Sequence, residues 1–191
     1  MKTNSFCIFI LILSIANCSY NDDINCNKKN WGLQKQDLLQ QQKWTAKGKV
    51  KLKTQDKAYM GGFVWQQDIN SFHATISGPL GIVLAEIKGN NKNGGVYFNQ
   101  QEKNTSLKSF MQTELGYYIE PRQLANTLIG LPQAKNVSWR LTYPFQENNN
   151  KFTTTWEKYS CYKDIFRPQK VHIKLKNKRE ISIFINQWQL N

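Results

Sequence analysis

Few residues of this sequence have side chains and spacing suited to catalysis. The two histidines, His73 and His172, are far apart, and each falls on the polar side of a predicted strand. The sequence has no HExxH, CxxC or Walker motif, and Gly94-Gly95 does not precede a predicted helix as a phosphate loop would. We therefore expect no enzymatic activity, no metal site and no cofactor. A catalytic cluster assembled from residues distant in sequence stays open.

Cys18 has the clearest predicted chemistry. A positive start and a mostly apolar run over 6–15 are typical of a secretory signal, and the run is shorter than the roughly 20 apolar residues of a membrane span. The segment Leu13-Ser14-Ile15-Ala16-Asn17-Cys18 resembles a lipobox, where bacteria attach a diacylglyceryl group to Cys and cleave before it. Asn17 departs from the Gly, Ala or Ser of that pattern. The sequence thus predicts a signal peptide over 1–17 and lipid attachment at Cys18; the alternative is an ordinary signal peptide cleaved elsewhere.

The segment after Cys18 predicts a tether followed by one domain. Residues 18–30 are polar and lack the apolar content needed to pack, which indicates a flexible linker between the lipid and the domain. We expect a single domain over 31–191. Cys26 and Cys161 could pair in an oxidising compartment, and the sequence leaves that pairing open.

The chain is strongly basic, with a formal net charge of +13 and a pI near 9.6. This balance predicts an acidic partner or a polyanion. The secretory signal argues against nucleic acid. Lysine-rich strand faces could meet an acidic protein surface or anionic lipid headgroups, or they could simply be solvated, and the sequence does not decide between these.

The hydropathy pattern predicts an antiparallel sheet with a few inserted helices. Apolar residues alternate strictly with Lys and Thr over 44–53, which is typical of a half-buried strand. Further strands are predicted at 58–67, 72–76, 82–87, 96–98, 137–143, 152–156, 171–175 and 181–190, with helices over 31–42, over 107–115 and from Pro121 to the residues before Gly130. Because strands mostly follow strands, we expect a mainly β, α+β fold in which helices cap a curved sheet and leave an apolar hollow.

The segment Gly78-Pro79-Leu80-Gly81 predicts a shaped turn with a leucine at its tip. Leu80 could tuck back into the core, which is the common fate of a turn leucine. It could also remain exposed and probe an apolar environment. Composition does not choose between these two interpretations.

Short segments in a fixed order along the chain resemble one known family. They are Gly48-Lys49-Val50, Gly61 to Gln67, Ile76 to Gly81, Leu115-Gly116, Ile119-Glu120-Pro121, Leu128 to Pro132, Trp139, Leu141 to Pro144, Ile173-Lys174-Leu175 and Trp188. This ordered set, downstream of a lipobox-like cysteine, is similar to the outer-membrane lipoprotein receptor family LolB.

The resemblance implies a half-open antiparallel β barrel with a lid of helices and an apolar cavity. It also implies a lipid-anchored monomer that faces the periplasm, accepts lipoproteins from the periplasmic carrier LolA and inserts them into the inner leaflet of the outer membrane without nucleotide hydrolysis. The family's protruding leucine maps onto Leu80, so Pro79, Leu80 and Gly81 become the expected membrane-insertion loop. The strand residues expected to contact the acyl chains of the cargo are Val50, Phe63, Trp65 and Ile76.

Two other functions remain compatible with the sequence. A lipid-anchored periplasmic binding protein for another apolar ligand, such as a glycolipid, would use the same cavity. An envelope hydrolase would need a polar cluster that the sequence does not reveal. The insertion turn separates the first two, because only a receptor that delivers its cargo to a membrane needs an exposed Leu80.

Overall fold

The computed structural model describes residues 30–54, 57–98, 101–140, 143–176 and 178–190. The predicted signal peptide, the predicted lipid-attachment residue Cys18 and nearly all of the predicted linker lie outside these ranges.

Across these ranges the chain forms one antiparallel sheet of eleven strands. The strands are β1 Lys43–Lys53, β2 Ala58–Asp68, β3 Ser71–Ser77, β4 Val83–Asn90, β5 Gly94–Phe98, β6 Gln101–Ser106, β7 Asn136–Arg140, β8 Tyr143–Asn148, β9 Phe152–Tyr162, β10 Ile165–Leu175 and β11 Glu180–Leu190. Their order is β6-β5-β4-β3-β2-β1-β11-β10-β9-β8-β7. The sheet is therefore open, with β6 and β7 as its end strands, and the predicted mainly β fold with a half-open antiparallel sheet is confirmed.

Three helices accompany the sheet in the described part of the chain: α1 Trp31–Gln40, α2 Leu107–Leu115 and α3 Pro121–Leu128. Local signals in the sequence set their ends. The side chains of Asn30 and Ser106 cap the first turns of α1 and α2. Gly116 and Gly130 follow α2 and α3 with φ of 68° and 80°, a conformation that glycine adopts without a steric penalty.

The register of the strands sorts their side chains onto two faces. Trp65 lies opposite Ala46 of β1 and Ala74 of β3, and all three are buried. The next residues along β1, such as Lys47 and Lys49, point to the other face and are exposed. We call the buried side the inner face and the lysine-bearing side the outer face. The alternation that predicted β1 thus reflects one packed and one solvated side.

All three helices pack on the inner face. Leu38 of α1, Met111 of α2 and Leu128 of α3 belong to the same buried cluster as the inner-face residues. A buried hydrogen bond also ties α3 to the sheet, since the indole Nε1 of Trp156 donates to the carbonyl oxygen of Thr127 over 2.8 Å. The predicted grouping of helices on one side of the sheet is confirmed.

Some predicted boundaries were wrong. The strand expected over 137–143 is a hairpin, because Arg140 at the end of β7 pairs with Tyr143 at the start of β8. The polar strand β6 was missed, since Gln101–Ser106 has no apolar alternation to reveal it. Strands β4 and β5 extend farther than predicted, because Gly89 pairs with Gly94 and continues both strands.

Gly48 allows β1 to approach β11 closely, at a bulge between Lys47 and Gly48. A Cβ atom built on Gly48 would lie 1.8 Å from the carbonyl oxygen of Phe184. We expect Gly48→Ala to lower the free energy of unfolding by about 1 to 3 kcal/mol, measured by urea denaturation, because β1 or β11 must shift to relieve the clash. Lys47→Ala, at the exposed neighbouring position, is the control and should change it by less than about 0.5 kcal/mol. Equal stability of the two variants would contradict this close approach.

Candidate functional site

The four residues predicted to contact acyl chains lie on one face of the sheet. Val50 pairs with Ile183 of β11, and Phe63 pairs with Ile76 of β3, so both pairs point to the inner face. Phe63 and Trp65 are only 7% and 5% exposed, and Val50 and Ile76 are half-buried against the same cluster. The structure thus brings these four residues together on one continuous apolar surface. The sequence alone could not show that all four point to the same face of the sheet.

Helices cover this apolar surface. The buried side chains of α2 are Leu107, Met111 and Leu115, and those of α1 are only Gln34 and Leu38. Helices of eight to ten residues have little stability of their own in water and depend on such packing. Phe63 and Trp65 are buried in the same cluster as these helix residues, so an acyl chain that reached them would have to displace part of this packing.

A buried polar cluster lies between α1 and the sheet. Arg167 of β10 is fully buried, donates from Nη2 to the side-chain oxygen of Gln41, and places its guanidinium carbon 4.6 Å from the ring centroid of Trp188. Burial lowers the pKa of Arg167 to about 10. Its Nε and Nη1, both amide atoms of Gln34 and Nε1 of Trp188 have no hydrogen-bond partner among the described residues. Buried polar atoms without hydrogen-bond partners destabilise the folded state. Helix α1 therefore packs on the sheet through an energetically unfavourable contact, which we call the polar seam.

No sequence signal identified this cluster. Gln34 lies in a helix with several other glutamines, and an arginine in a strand is usually exposed. Arg167 occupies one of the alternate positions of β10 whose side chains face inward. This becomes clear only when the register of β10 with β9 and β11 is known.

A surface cavity lies elsewhere. It has a volume of about 600 Å³ and lies near the β2–β3 turn, lined by polar residues that include Gln66, His73 and Lys88. His73 there faces Glu86, whose pKa is lowered mainly by a hydrogen bond from Lys88. None of the four predicted acyl-chain residues lines this cavity. The cavity is therefore a polar groove of the outer face.

The predicted insertion turn projects into solvent. Leu80 is 99% exposed and has φ of 59°, a left-handed conformation that costs a leucine roughly 1 kcal/mol or more. Pro79, Leu80 and Gly81 form a single 3₁₀ turn, closed at its base by a hydrogen bond from Gly78 N to Ile82 O over 2.9 Å. The backbone thus holds the leucine outward, and the tucked-in alternative is wrong.

The structure tests neither the predicted lipid attachment at Cys18 nor the open question of a Cys26–Cys161 pairing. Cys18 and Cys26 lie outside the described residues, whereas Cys161 lies in β9 and is disulfide-bonded. Of the described helices, none is long and apolar enough to cross a membrane. The described residues also contain no group of three His, Cys, Asp or Glu side chains that could hold a metal ion.

Comparison with known proteins identifies the family. Residues 42–188 match the family model described as outer membrane lipoprotein LolB, which is most of the chain. The chain belongs to the LolB family. The match runs from the residue before β1 to Trp188 of β11, so it covers all eleven described strands except the last two residues of β11, together with the Leu80 turn and two of the three described helices.

Individual relatives support this membership at modest identity. An outer-membrane lipoprotein LolB from Marinomonas sp. is 26% identical, over 78% of this chain and 80% of the relative. LolB from Francisella tularensis is 24% identical, over 95% and 91%, and LolB from Psychromonas ingrahamii is 22% identical, over 100% and 97%. These relatives support a role in lipoprotein localisation.

Solved structures show the same fold at low identity. A LolA superfamily protein from Nitrosomonas europaea superposes with a TM-score of 0.56 at 10% identity and covers 82% of this chain and 93% of its own. A putative outer membrane lipoprotein-sorting protein domain from Vibrio parahaemolyticus gives 0.54 at 9% identity, over 87% and 94%. The LolB-family chain thus shares its fold with the LolA superfamily.

The polar seam below α1 predicts an unusual effect on stability. We expect Arg167→Met to leave the free energy of unfolding unchanged or raise it by about 1 to 2 kcal/mol, because a methionine fills similar space without a buried charge. Urea denaturation of the domain measures this. Val171→Ala, at the buried position four residues further along the same strand, should instead lower the free energy of unfolding by about 1 to 3 kcal/mol. A loss of several kcal/mol in Arg167→Met would mean that the guanidinium stabilises the fold.

Proposed function

We propose that this chain is an outer-membrane receptor that accepts lipoproteins from the periplasmic carrier LolA and inserts them into the inner leaflet of the outer membrane, without catalysis. One observation carries the proposal: a LolB-family sheet has a helix-covered apolar face and, at one end, a leucine held almost completely in solvent. A covered apolar face suits a ligand that must be kept from water. The projecting leucine suits contact with a membrane.

The energetics require a protected route for the cargo. Burial of one CH₂ group is worth about 0.8 kcal/mol, so a lipoprotein with several acyl chains would lose roughly tens of kcal/mol by exposing them. We propose that the acyl chains contact Val50, Phe63, Trp65 and Ile76 after the helices move aside. Transfer then proceeds downhill, because the receptor binds the chains more tightly than the carrier does and less tightly than the membrane does.

The N-terminal region completes the proposal. The predicted signal peptide over 1–17 would direct export, and a lipid on Cys18 would hold the domain at the outer membrane on the periplasmic side. One acyl chain binds a bilayer weakly, and two or more hold firmly. The segment 18–30 would then act as the tether, and 31–191 as the lipoprotein-binding domain.

Leu80→Asn tests the delivery step. We expect this variant to take labelled lipoprotein from loaded LolA as the wild type does, but to deliver it to outer-membrane vesicles at least tenfold more slowly, because the polar side chain disfavours entry into the acyl region. Pull-down measures acceptance, and vesicle flotation measures delivery. Leu39→Asn, at a half-exposed leucine of α1, is the control and should do both normally.

Three outcomes of that assay are informative. Wild-type acceptance followed by delivery supports the receptor function. Acceptance without delivery by the wild type favours a binding protein for an apolar ligand. Normal delivery by Leu80→Asn would contradict the role of the turn.

A photo-crosslinking residue tests the acyl-chain contact. We expect p-benzoylphenylalanine in place of Val50 to crosslink to the acyl chains of bound lipoprotein, because Val50 points to the inner face. The same residue in place of Lys49 points to the outer face and should give at least tenfold less product. Mass spectrometry of the adduct identifies the acyl chain, and equal yields at the two positions would contradict an inner-face site.

A further inference from the structure

The end of the sheet that carries the Leu80 turn is strongly basic. The connections β1–β2, β8–β9 and β10–β11 all lie at this end, since Lys53 pairs with Glu180 and Lys174 pairs with both Glu180 and Thr153. Exposed lysines cluster on these connections and on the strand ends that lead into them: Lys51, Lys53, Lys57, Lys151, Lys174, Lys176 and Lys178. We call these seven residues the basic end.

Among the described residues, few acidic side chains lie at the basic end. No ion pair between described residues includes any of the seven lysines. Glu180 is the acidic residue paired in register with them. Glu147 lies nearby in β8, but it is buried and accepts hydrogen bonds from the backbone N–H groups of Gln133 and Ala134.

At the opposite end of the sheet, several lysines have acidic neighbours. Lys43 lies 3.1 Å from Asp68, and Lys88 lies 2.6 Å from Glu86. Lys163 in the β9–β10 turn is followed directly by Asp164. Among the described residues, exposed lysines thus outnumber acidic side chains at the basic end, whereas several lysines of the opposite end lie beside a carboxylate.

Exposed apolar side chains lie beside the basic end. Next to the fully exposed Leu80 are Ile82, 64% exposed, and Met60, 63% exposed. Gly62 of β2 pairs with Ser77, the last residue of β3 before the Leu80 turn, so Met60 of β2 lies beside that turn. Met60 in turn pairs with Lys51 of β1. Neighbouring strands are about 4.8 Å apart, which places the Lys51 backbone roughly 10 Å from the turn.

This arrangement matches the layers of an anionic bilayer surface. Apolar side chains enter roughly 5 to 10 Å into the boundary between headgroups and acyl chains, while lysines beside them meet negative headgroups. Lys51 and Lys53 lie roughly one Debye length from the turn, so they act on the area of membrane that Leu80 would enter, whereas the lysines of the β8–β9 and β10–β11 connections lie several strands farther along the same end of the sheet. A single leucine on an exposed turn suits a fluid surface better than a shaped protein pocket.

We propose that the basic end is a docking surface for anionic phospholipid, which brings the Leu80 turn onto the receiving membrane. Its biological use rests on the proposed function, but the binding itself requires neither cargo nor carrier. The lysines provide electrostatic attraction, and Leu80, Ile82 and Met60 provide the apolar contact.

The test measures binding to vesicles of defined composition. The protein is the chain from residue 18 with Cys18→Ala, so that no lipid anchor contributes. Flotation compares phosphatidylcholine vesicles with vesicles in which part of that lipid is replaced by phosphatidylglycerol. We expect wild type to prefer the anionic vesicles, and Lys51→Gln/Lys53→Gln to bind them roughly 25-fold more weakly, from about fivefold for each lysine.

A matched variant controls for the loss of charge. Lys92→Gln/Lys163→Gln removes two exposed lysines from the opposite end of the sheet and should weaken binding less than about twofold. Circular dichroism checks that both double variants are folded. Equal losses in the two double variants, or no preference of the wild type for anionic vesicles, would overturn the docking surface.

Transfer assays separate this inference from the proposed function. If wild type delivers lipoprotein to neutral vesicles but shows no preference for anionic ones, the receptor function stands and the docking surface is wrong. If it binds anionic vesicles but accepts no cargo, the docking surface stands and the receptor function fails. If Lys51→Gln/Lys53→Gln loses uptake from LolA while vesicle binding is unchanged, the basic end serves an acidic carrier, and the inference is overturned.

Discussion

The antiparallel pairing of β1 with β11 is the contact on which the rest of the structure depends. It joins the first and last strands in the middle of the sheet, so each half can extend outward through neighbouring hairpins. The chain between the two end strands, β6 and β7, contains α2 and α3. The topology therefore places these helices where the sheet is open. The close approach at Gly48 is a condition for this pairing, because a side chain there would meet the backbone of β11.

The same pairing gives the sheet one continuous apolar face and makes its cover the weaker part. Backbone hydrogen bonds join each strand of the sheet to its neighbours, whereas the helices are held to it by side-chain packing and a few hydrogen bonds. The helices are short, and α1 lies over polar atoms that have no hydrogen-bond partner in the described part of the chain. Local opening begins where few apolar contacts must be lost. A stable sheet with a less stable cover is suited to admitting a large apolar ligand without unfolding.

Local signals in the sequence were sufficient for most of the fold. The alternation of Lys with apolar residues over 44–53 predicted β1, and Gly116 and Gly130 predicted the ends of two helices. Features that depend on pairing could not be predicted: the inner face of β2, the β7–β8 hairpin and the burial of Arg167. Leu80 is the informative case, because its exposure depends on a backbone conformation that the turn sequence permits but does not require.

The exposed lysines and the exposed Leu80 lie at the same end of the sheet, so the two ends of the sheet differ in how well they suit a membrane surface. An exposed leucine on a left-handed turn lowers the stability of a protein in water, and no core contact offsets this. Insertion of that leucine into acyl chains removes the hydration cost, whereas the neighbouring lysines lose little by meeting anionic headgroups. The exposed apolar side chains, which are least compatible with water, therefore lie at the end most compatible with an anionic membrane. Because the apolar inner face reaches the same end through Tyr59 and Leu52, a chain leaving that face would meet the bilayer first.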